Sequence, residues 1–178
     1  MMSEELVAQL SYYGISPWEL EVVYGIFNGR FQVKQTELES YDSDFVSVLN
    51  IDIPLTFNDE FFNWFEFRRW DKVKAILKEM KRRRGRNNAL KVDLIFSGIP
   101  KIRFIADSDD RDWFNNAIEK IDFVLELVPY HLDPTKLPND VTEIIYKFDA
   151  NAARWRLNTA LVGNKKFIFT GNDWKLII

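Results

Sequence analysis

The chain has 178 residues, of which 47% are hydrophobic and 15% aromatic, and its formal net charge is −3. This length supports one domain with a substantial core, and the composition is not that of a disordered segment. Cysteine is absent, which excludes disulfides, thiolate metal sites and cysteine nucleophiles. The sequence has no apolar run of about 18 residues and no signal-peptide pattern at its start. We therefore expect a soluble, cytoplasmic protein with no transmembrane segment.

The N-terminal region contains two predicted helices. Ser3 can cap a short helix that places Leu6 and Leu10 on one face and ends at Gly14. The sequence Ser16-Pro17-Trp18-Glu19 has the pattern of a capping box with proline in the first turn, which favours a second helix through Phe27. Alternating apolar residues in the same stretch, followed by Asn28-Gly29, leave a strand and hairpin turn as the alternative.

The middle and C-terminal parts of the chain show clearer elements. A β-branched run predicts a strand over 45–53, and a long helix follows between 58 and 85. We then expect two strands joined through Gly98 and Pro100, a second long helix that Pro129 ends, and a strand over 142–148. Two or three short strands complete the chain. The two strands before the second helix are expected at 90–96 and 101–106. The short strands near the end of the chain are expected at 155–161, 166–169 and 174–178.

The element order between residues 45 and 148 is β-α-β-β-α-β, which predicts a ferredoxin-like α+β fold. In that fold, an antiparallel sheet carries two helices on one face. The N-terminal helices and the C-terminal hairpins would then be additions to this core. We accordingly divide the chain into an N-terminal helical or extended appendage (1–44), the core (45–148) and a β-hairpin extension (149–178), packed as one globular unit.

The strongest signal in the sequence is an aromatic block that runs into a basic one. Residues 68–86 contain ten Lys or Arg and two acids, so their local charge is +8 while the rest of the chain sums to −11. Half of the residues in 57–70 are aromatic. A surface of this kind is typical of a site for an acidic partner. The aromatic residues are Phe57, Phe61, Phe62, Trp64, Phe65, Phe67 and Trp70.

A helical projection separates the two faces of this segment. Trp70, Val73, Leu77 and Met80 share an apolar arc, with Ile76, that should face the sheet. Phe61, Trp64 and Phe65 fall on the charged side if the helix is continuous. Trp64 with Arg68, and Phe65 with Arg69, then have the i, i+4 spacing that lets an arginine pack over a ring.

Two alternatives place the three aromatic residues in the interior. The N-terminal forty residues would cover Phe61, Trp64 and Phe65, or the helix would begin only near Phe65, after a buried aromatic turn. In the functional interpretation, the rings are exposed beside a basic stripe. Our candidate binding residues are therefore Arg68, Lys72, Lys81, Arg82, Arg83, Arg84, Arg86, Phe61, Trp64 and Phe65.

Two other groups contain residue types that can carry chemistry. His131 is the only histidine, so a multi-histidine metal site is excluded, and we expect it to bond the last carbonyls of the preceding helix. Asp107, Asp109, Asp110 and Asp112 could bind Mg²⁺ or Ca²⁺, but they stand where a helix begins and fit the role of caps. No phosphate-binding loop or nucleophile motif is present. We predict no metal, no cofactor and no catalysis.

These observations lead to one hypothesis and several alternatives. The hypothesis is a non-catalytic binding protein that presents its basic-aromatic helix to an acidic macromolecule, either nucleic acid or protein. The first alternative is a protein–protein adaptor or inhibitor anchored by the aromatic residues. The second is a carboxylate-metal enzyme, and a third is attachment to anionic lipid. A homodimer through an exposed C-terminal edge strand is also left open.

Overall fold

Nine strands form a single mixed sheet in the computed structural model, which describes residues 6–39, 45–85 and 89–178. The strands lie in the order β2-β1-β3-β4-β5-β6-β7-β8-β9, so all three predicted segments contribute to one sheet. Their bounds are β1 (Val7–Tyr13), β2 (Gln32–Glu37), β3 (Ser47–Ile53), β4 (Leu90–Phe96), β5 (Lys101–Ala106), β6 (Glu143–Asp149), β7 (Arg154–Val162), β8 (Lys165–Thr170) and β9 (Asp173–Leu176).

The sheet alternates between parallel and antiparallel neighbours. Three pairs are parallel, β1 with β2, β3 with β4, and β5 with β6, and a helical connection joins the two strands of each pair. Antiparallel pairs link these units, β1 with β3 and β4 with β5, and the meander β6-β7-β8-β9 completes the sheet.

The ferredoxin-like prediction is therefore wrong, although all seven predicted strands are present. In a ferredoxin-like core, each β-α-β connection skips one position, which a strand of the other unit fills, so neighbouring strands are antiparallel. Here Leu49 pairs with Val92 and Ile102 with Ile144 in parallel, because each connection returns the chain to the adjacent position. Element order alone does not distinguish the two arrangements.

Three of the helices form a layer on one side of the sheet. The helices are α1 (Pro17–Asn28), α2 (Asp59–Phe65), α3 (Phe67–Arg84), α4 (Arg111–Glu119) and α5 (Val128–His131), with a 3₁₀ helix at Asp122–Glu126. α3 lies between α1 and α4. The indole Nε1 of Trp155 on β7 donates to the Ala117 carbonyl of α4 over 2.8 Å, which ties this layer to the sheet.

The N-terminal predictions had mixed outcomes. The helix after Ser16 is confirmed as α1, with both hydrogen bonds of the capping box and proline in its first turn. The helix between Ser3 and Gly14 is wrong, because Val7–Tyr13 is a strand between β2 and β3; Ser3 itself lies outside the described residues. Leu6 and Leu10 have helical spacing, but the buried Ala8 and Leu10 alternate with less buried neighbours, as a strand requires.

Both long helices are interrupted. Glu66, with φ at 76°, separates α2 from α3, so the aromatic segment and the basic segment belong to two helices. The second long helix ends at Glu119, and the chain continues as the 3₁₀ helix and α5, which includes Pro129 instead of ending before it.

The predicted apolar arc of α3 is confirmed, since Trp70, Val73, Leu77 and Met80 are all buried. The side chains of β4 and β5 that face the helices are apolar as well. Phe96 and Phe104 contact Phe57 from the loop before α2, with both ring centroids 5.0 Å away. Aromatic residues thus fill the interior between the sheet and the helical layer, where burial of their large surfaces supplies much of the stability.

Candidate functional site

The C-terminal end of α3 contains an arginine that belongs to the interior. Arg84 donates to both carboxylate oxygens of Glu19 at 2.7 and 2.8 Å and to Ser47 Oγ at 2.7 Å. It also donates to the carbonyls of Gly14 and Met80. Its side chain is 11% exposed. Arg84 therefore joins α3 to α1 and β3 and is not available to a partner.

Glu19 is the counter-ion that makes this arrangement stable. It is buried at the start of α1, where its carboxylate also accepts the Ser16 amide of the capping box. Burial by itself would raise the pKa of Glu19, but hydrogen bonds from Arg84 and Ser16 outweigh that effect and lower the pKa to about 2. Glu19 is consequently charged at any physiological pH.

Lys81 is buried, and no carboxylate in the described part of the chain forms an ion pair with it. Its side chain is 0% exposed, and among the described residues its ammonium group has no hydrogen-bond partner. It lies 5.8 Å from the centre of the Phe114 ring of α4. Burial lowers the pKa of Lys81, and the charges of Asp109 and Asp110 offset only part of this effect. Lys81 cannot contact a partner at the surface.

The side of α3 that faces α4 is also neutralised. Lys74 lies within 3.5 Å of carboxylate oxygens of Asp71, Glu119 and Asp122, and Lys78 pairs with Glu119. Burial would lower the pKa of Lys74, but Asp122 and Glu119 outweigh it and raise the pKa. Part of the positive charge of the sequence is therefore balanced inside the molecule.

The aromatic residues of α2 are mostly interior. Phe61 and Phe65 are buried and stack on each other at 5.2 Å, and Phe65 also contacts Phe27 of α1. The alternative in which the N-terminal segment covers these rings is thus confirmed for Phe65, whereas Phe61 is buried against Phe65 and Phe96. Trp64 remains 40% exposed, with the guanidinium of Arg30 over its ring at 5.9 Å.

The pairings of arginine with aromatic rings differ in part from the expected ones. Arg69 lies over the Phe65 ring at 5.8 Å, as the i, i+4 spacing predicts. Arg69 also donates to the Ile26 carbonyl of α1, so it holds the two helices together. Trp64 pairs with Arg30 from the loop after α1, a residue that sequence reasoning did not single out.

Four of the candidate residues are exposed on one face of α3, and we call them the outer ridge. They are Arg68, Lys72, Arg82 and Arg83, at spacings that return to the same face of the helix. Arg68 and Lys72 form no ion pair within the described part of the chain. Arg82 is bound to Glu79 through an Nε–Oε2 contact of 2.8 Å. Arg86, the remaining candidate, lies outside the described residues.

Arg83 contacts an exposed aromatic residue of α1. Its guanidinium lies over the Trp18 ring at 5.1 Å, and Trp18 is 54% exposed. The contact with Glu19 is looser, at 3.6 Å. Trp18 was not among the predicted binding residues because the sequence pattern assigned it to a helix start.

The aspartate cluster marks a helix start, as predicted. Asp110 caps α4 and accepts the Trp113 amide at 3.0 Å, and Asp112 lies in the first turn. Within the described ranges, no group of three or more His, Asp or Glu residues is arranged to hold a metal ion. The described helices include none that is long and apolar enough to cross a membrane.

A charged cluster on the opposite face of the sheet was missed. Asp93 of β4 lies 3.2 Å from Arg103 of β5, which lies 3.5 Å from Glu143 of β6. Asp93 is 6% exposed, and burial raises its pKa to about 6 despite Arg103. A signal for this cluster was present in the sequence. Charged residues occupy alternate positions of two consecutive strands, with Lys91 and Asp93 on β4 and Lys101 and Arg103 on β5.

His131 has a different environment from the expected one. Its Nδ1 lies 2.9 Å from the hydroxyl of Tyr146 on β6, so the ring packs toward the sheet and not onto helix carbonyls.

Comparison with known proteins gave no match: no family model, no curated protein and no solved structure is significantly similar to this chain.

Proposed function

We propose that this chain is a non-catalytic binding protein whose helical layer docks onto an acidic protein. The observation that carries the proposal is a pair of exposed tryptophans, Trp18 and Trp64, each beneath an arginine, together with the basic outer ridge. Tryptophan and arginine are the residues most enriched among those that dominate binding energy in protein interfaces. A cytoplasmic location fits the proposal.

The two tryptophan–arginine pairs stand at opposite ends of α1 and α3. Glu19 near the start of α1 contacts Arg84 at the end of α3, while Ile26 near the end of α1 contacts Arg69 near the start of α3. The two helices are therefore antiparallel. Since α1 has 12 residues, the pairs are separated by roughly 18 Å, which suits two anchors of one interface.

The charge distribution favours a protein over nucleic acid. The sequence pI is about 5.3, whereas a domain that binds nucleic acid without sequence preference is usually basic. The structure also places Lys81 and Arg84 in the interior and pairs Arg82 with Glu79. Too few unpaired cations remain on the outer ridge for a strong phosphate interaction, but enough for steering an acidic surface.

The proposal can be tested with labelled peptides. An acidic peptide that contains interspersed leucine and phenylalanine should bind, and polyglutamate and single-stranded DNA serve as comparison probes. Trp18→Ala and Trp64→Ala together should weaken binding of the first peptide by more than tenfold, mainly through faster dissociation. Replacement of the four outer-ridge residues by alanine should mainly slow association, as measured by stopped-flow fluorescence.

A matched control removes four exposed lysines elsewhere, at positions 34, 101, 147 and 165. That variant has the same net charge as the outer-ridge variant and should bind the peptide normally. Equal losses in both variants would contradict a defined surface. DNA binding that exceeds peptide binding, with a steep salt dependence that the outer-ridge variant loses, would support the nucleic-acid alternative instead.

A further inference from the structure

A cavity lies where strands β7 and β8 diverge. The two strands pair only from Thr159–Ile168 to Val162–Lys165, although β7 begins at Arg154 and β8 continues to Thr170. The fork between them contains a cavity of about 520 Å³, which is within the range of small-molecule sites. The α5 helix and the turn after β8 contribute the remaining walls.

The apolar part of the lining is rigid. Trp155 of β7 is fixed by its hydrogen bond to the Ala117 carbonyl and by a contact with Phe104 at 5.3 Å. Phe169 of β8 packs against Trp174 of β9 at 5.1 Å. Leu127 and Leu157 complete the apolar surface. Walls of this kind accept a flat apolar body with little rearrangement.

His131 supplies a hydrogen-bond donor to the cavity. Burial raises the pKa of Tyr146, so its phenol stays protonated. Among the described residues, His131 Nδ1 is the partner of that hydroxyl, at 2.9 Å. Nδ1 therefore accepts, because a buried hydroxyl without an acceptor is costly. Burial and the charge of Arg154 lower the pKa of His131, so the neutral ring carries its hydrogen on Nε2.

The charges at the cavity are positive. Arg154 and Arg156 are part of the lining, and no acidic residue is. Arg156 is held by Asp149, at 3.0 Å between Nε and Oδ2. Arg154 forms no ion pair within the described ranges, yet its charge acts on His131. An unpaired guanidinium and an imidazole N–H at the edge of an apolar pocket are suited to a carboxylate.

We propose that this cavity binds a small carboxylic acid with a flat apolar body. The carboxylate would lie between the Arg154 guanidinium and Nε2–H of His131, and the apolar body between Leu127 and Phe169, above the buried Trp155. This site is separate from the α1–α3 surface, lies at the other end of the sheet order, and does not depend on the proposed protein partner.

The test uses benzoate, indole-3-carboxylate and indole-3-acetate, each with its neutral amide as the matched control. Because His131 is the only histidine in the chain, its ring signals in NMR spectra of the intact protein report on this site alone. Each bound acid should shift those signals in a saturable way. The amides should bind at least about tenfold more weakly, since they lack the charge that Arg154 recognises.

Two variants assign the contacts. Arg154→Gln should weaken binding of the acids by about tenfold or more while leaving the amides unaffected, and His131→Phe should weaken acid binding less. Arg68→Gln, on the distant α3 helix, should bind like the wild type. Melting curves establish that each variant is folded.

Three results would overturn the proposal. The first is the absence of saturable binding by all three acids at millimolar concentration. The second is equal affinity for acid and amide, and the third is unchanged affinity in a folded Arg154→Gln protein. None of these results bears on the tryptophan surface, so this proposal and the proposed function fail independently.

Discussion

The two sides of α3 carry the same basic residue types in different surroundings. Arg83 lies over Trp18 at the surface with its side chain 40% exposed, while Arg84, the next residue, is bound by Glu19, Ser47 and two carbonyls in the interior. The difference arises from the helix turn of about 100° per residue, which directs neighbouring side chains to different faces. A run of positive charge in a sequence is therefore a mixture of structural and surface groups, and only the second kind can bind a partner.

The largest effect should come from breaking the interior side. Arg84→Ala leaves the buried Glu19 carboxylate with only the looser ion pair to Arg83, which should lower the free energy of unfolding by about 3–5 kcal/mol. Arg83→Ala should lower it by less than about 1 kcal/mol. Urea unfolding followed by circular dichroism measures both. If the two variants lost similar amounts of stability, the buried Arg84–Glu19 ion pair would contribute no more than an exposed arginine, and the prediction would be wrong.

The Asp93 cluster is a second group of buried charges, and it should make the free energy of unfolding depend on pH. The folded-state pKa of Asp93 is about 6, above the usual unfolded value of about 3.9, so this group makes the protein less stable as pH rises from about 4 to 7. Asp93→Asn should remove that component, on the order of 2–3 kcal/mol. Unfolding at several pH values tests this, with Asp112→Asn as a surface control. A variant profile parallel to the wild type would refute it.

Lys81 should show the opposite sign from Arg84. Lys81→Met removes a buried amine with no partner among the described residues and keeps the apolar stem, so it should raise the free energy of unfolding at pH 7 by about 1–3 kcal/mol. Because burial lowers the folded-state pKa of Lys81, the gain should shrink as pH rises toward the unfolded value. Lys72→Met, at an exposed site, is the control and should change little. If Lys81→Met destabilised the protein, the Lys81 ammonium group would have to form a favourable interaction in the folded state.

The smallest effect on stability is expected for the outer ridge. Replacing Arg68, Lys72, Arg82 and Arg83 by alanine should change the free energy of unfolding by less than about 0.5 kcal/mol per site. Thermal unfolding of the quadruple variant measures this. The same variant should show the association defect described above, so a large loss of stability would remove the distinction between the surface and interior groups of α3.

Local patterns in the sequence predicted local structure well after residue 45, whereas β1 was predicted as a helix and β2 was not predicted. The capping box at Ser16 located α1, and the β-branched and alternating runs located β3 to β9 within a few residues. Strand pairing was mispredicted because the choice between adjacent and interleaved positions depends on contacts between distant segments. The break at Glu66 was also missed, since nothing in the aromatic run marks a residue with positive φ.

The candidate site was predictable only in part for the same reason. The sequence placed Arg68 and Lys72 on a charged face, which agrees with their exposure. It could not show that Glu19, 65 residues from Arg84, supplies the counter-ion of that arginine. It also gave no indication that Arg154 and His131, on different elements, border the same cavity.

The order of strands in the sheet has a consequence for how the chain folds. Apart from the exchange of β1 and β2 at one edge, spatial order follows chain order. Strands β5, β7, β8 and β9 therefore join the preceding strand through short turns, whereas the parallel pairs β3–β4 and β5–β6 close over long helical connections. Short loops close at a smaller entropic cost, so the hairpins should form before the parallel pairs. The Arg84–Glu19 contact closes a still longer loop, of 65 residues. We expect this contact to form after the strands that flank it and then to stabilise the helical layer.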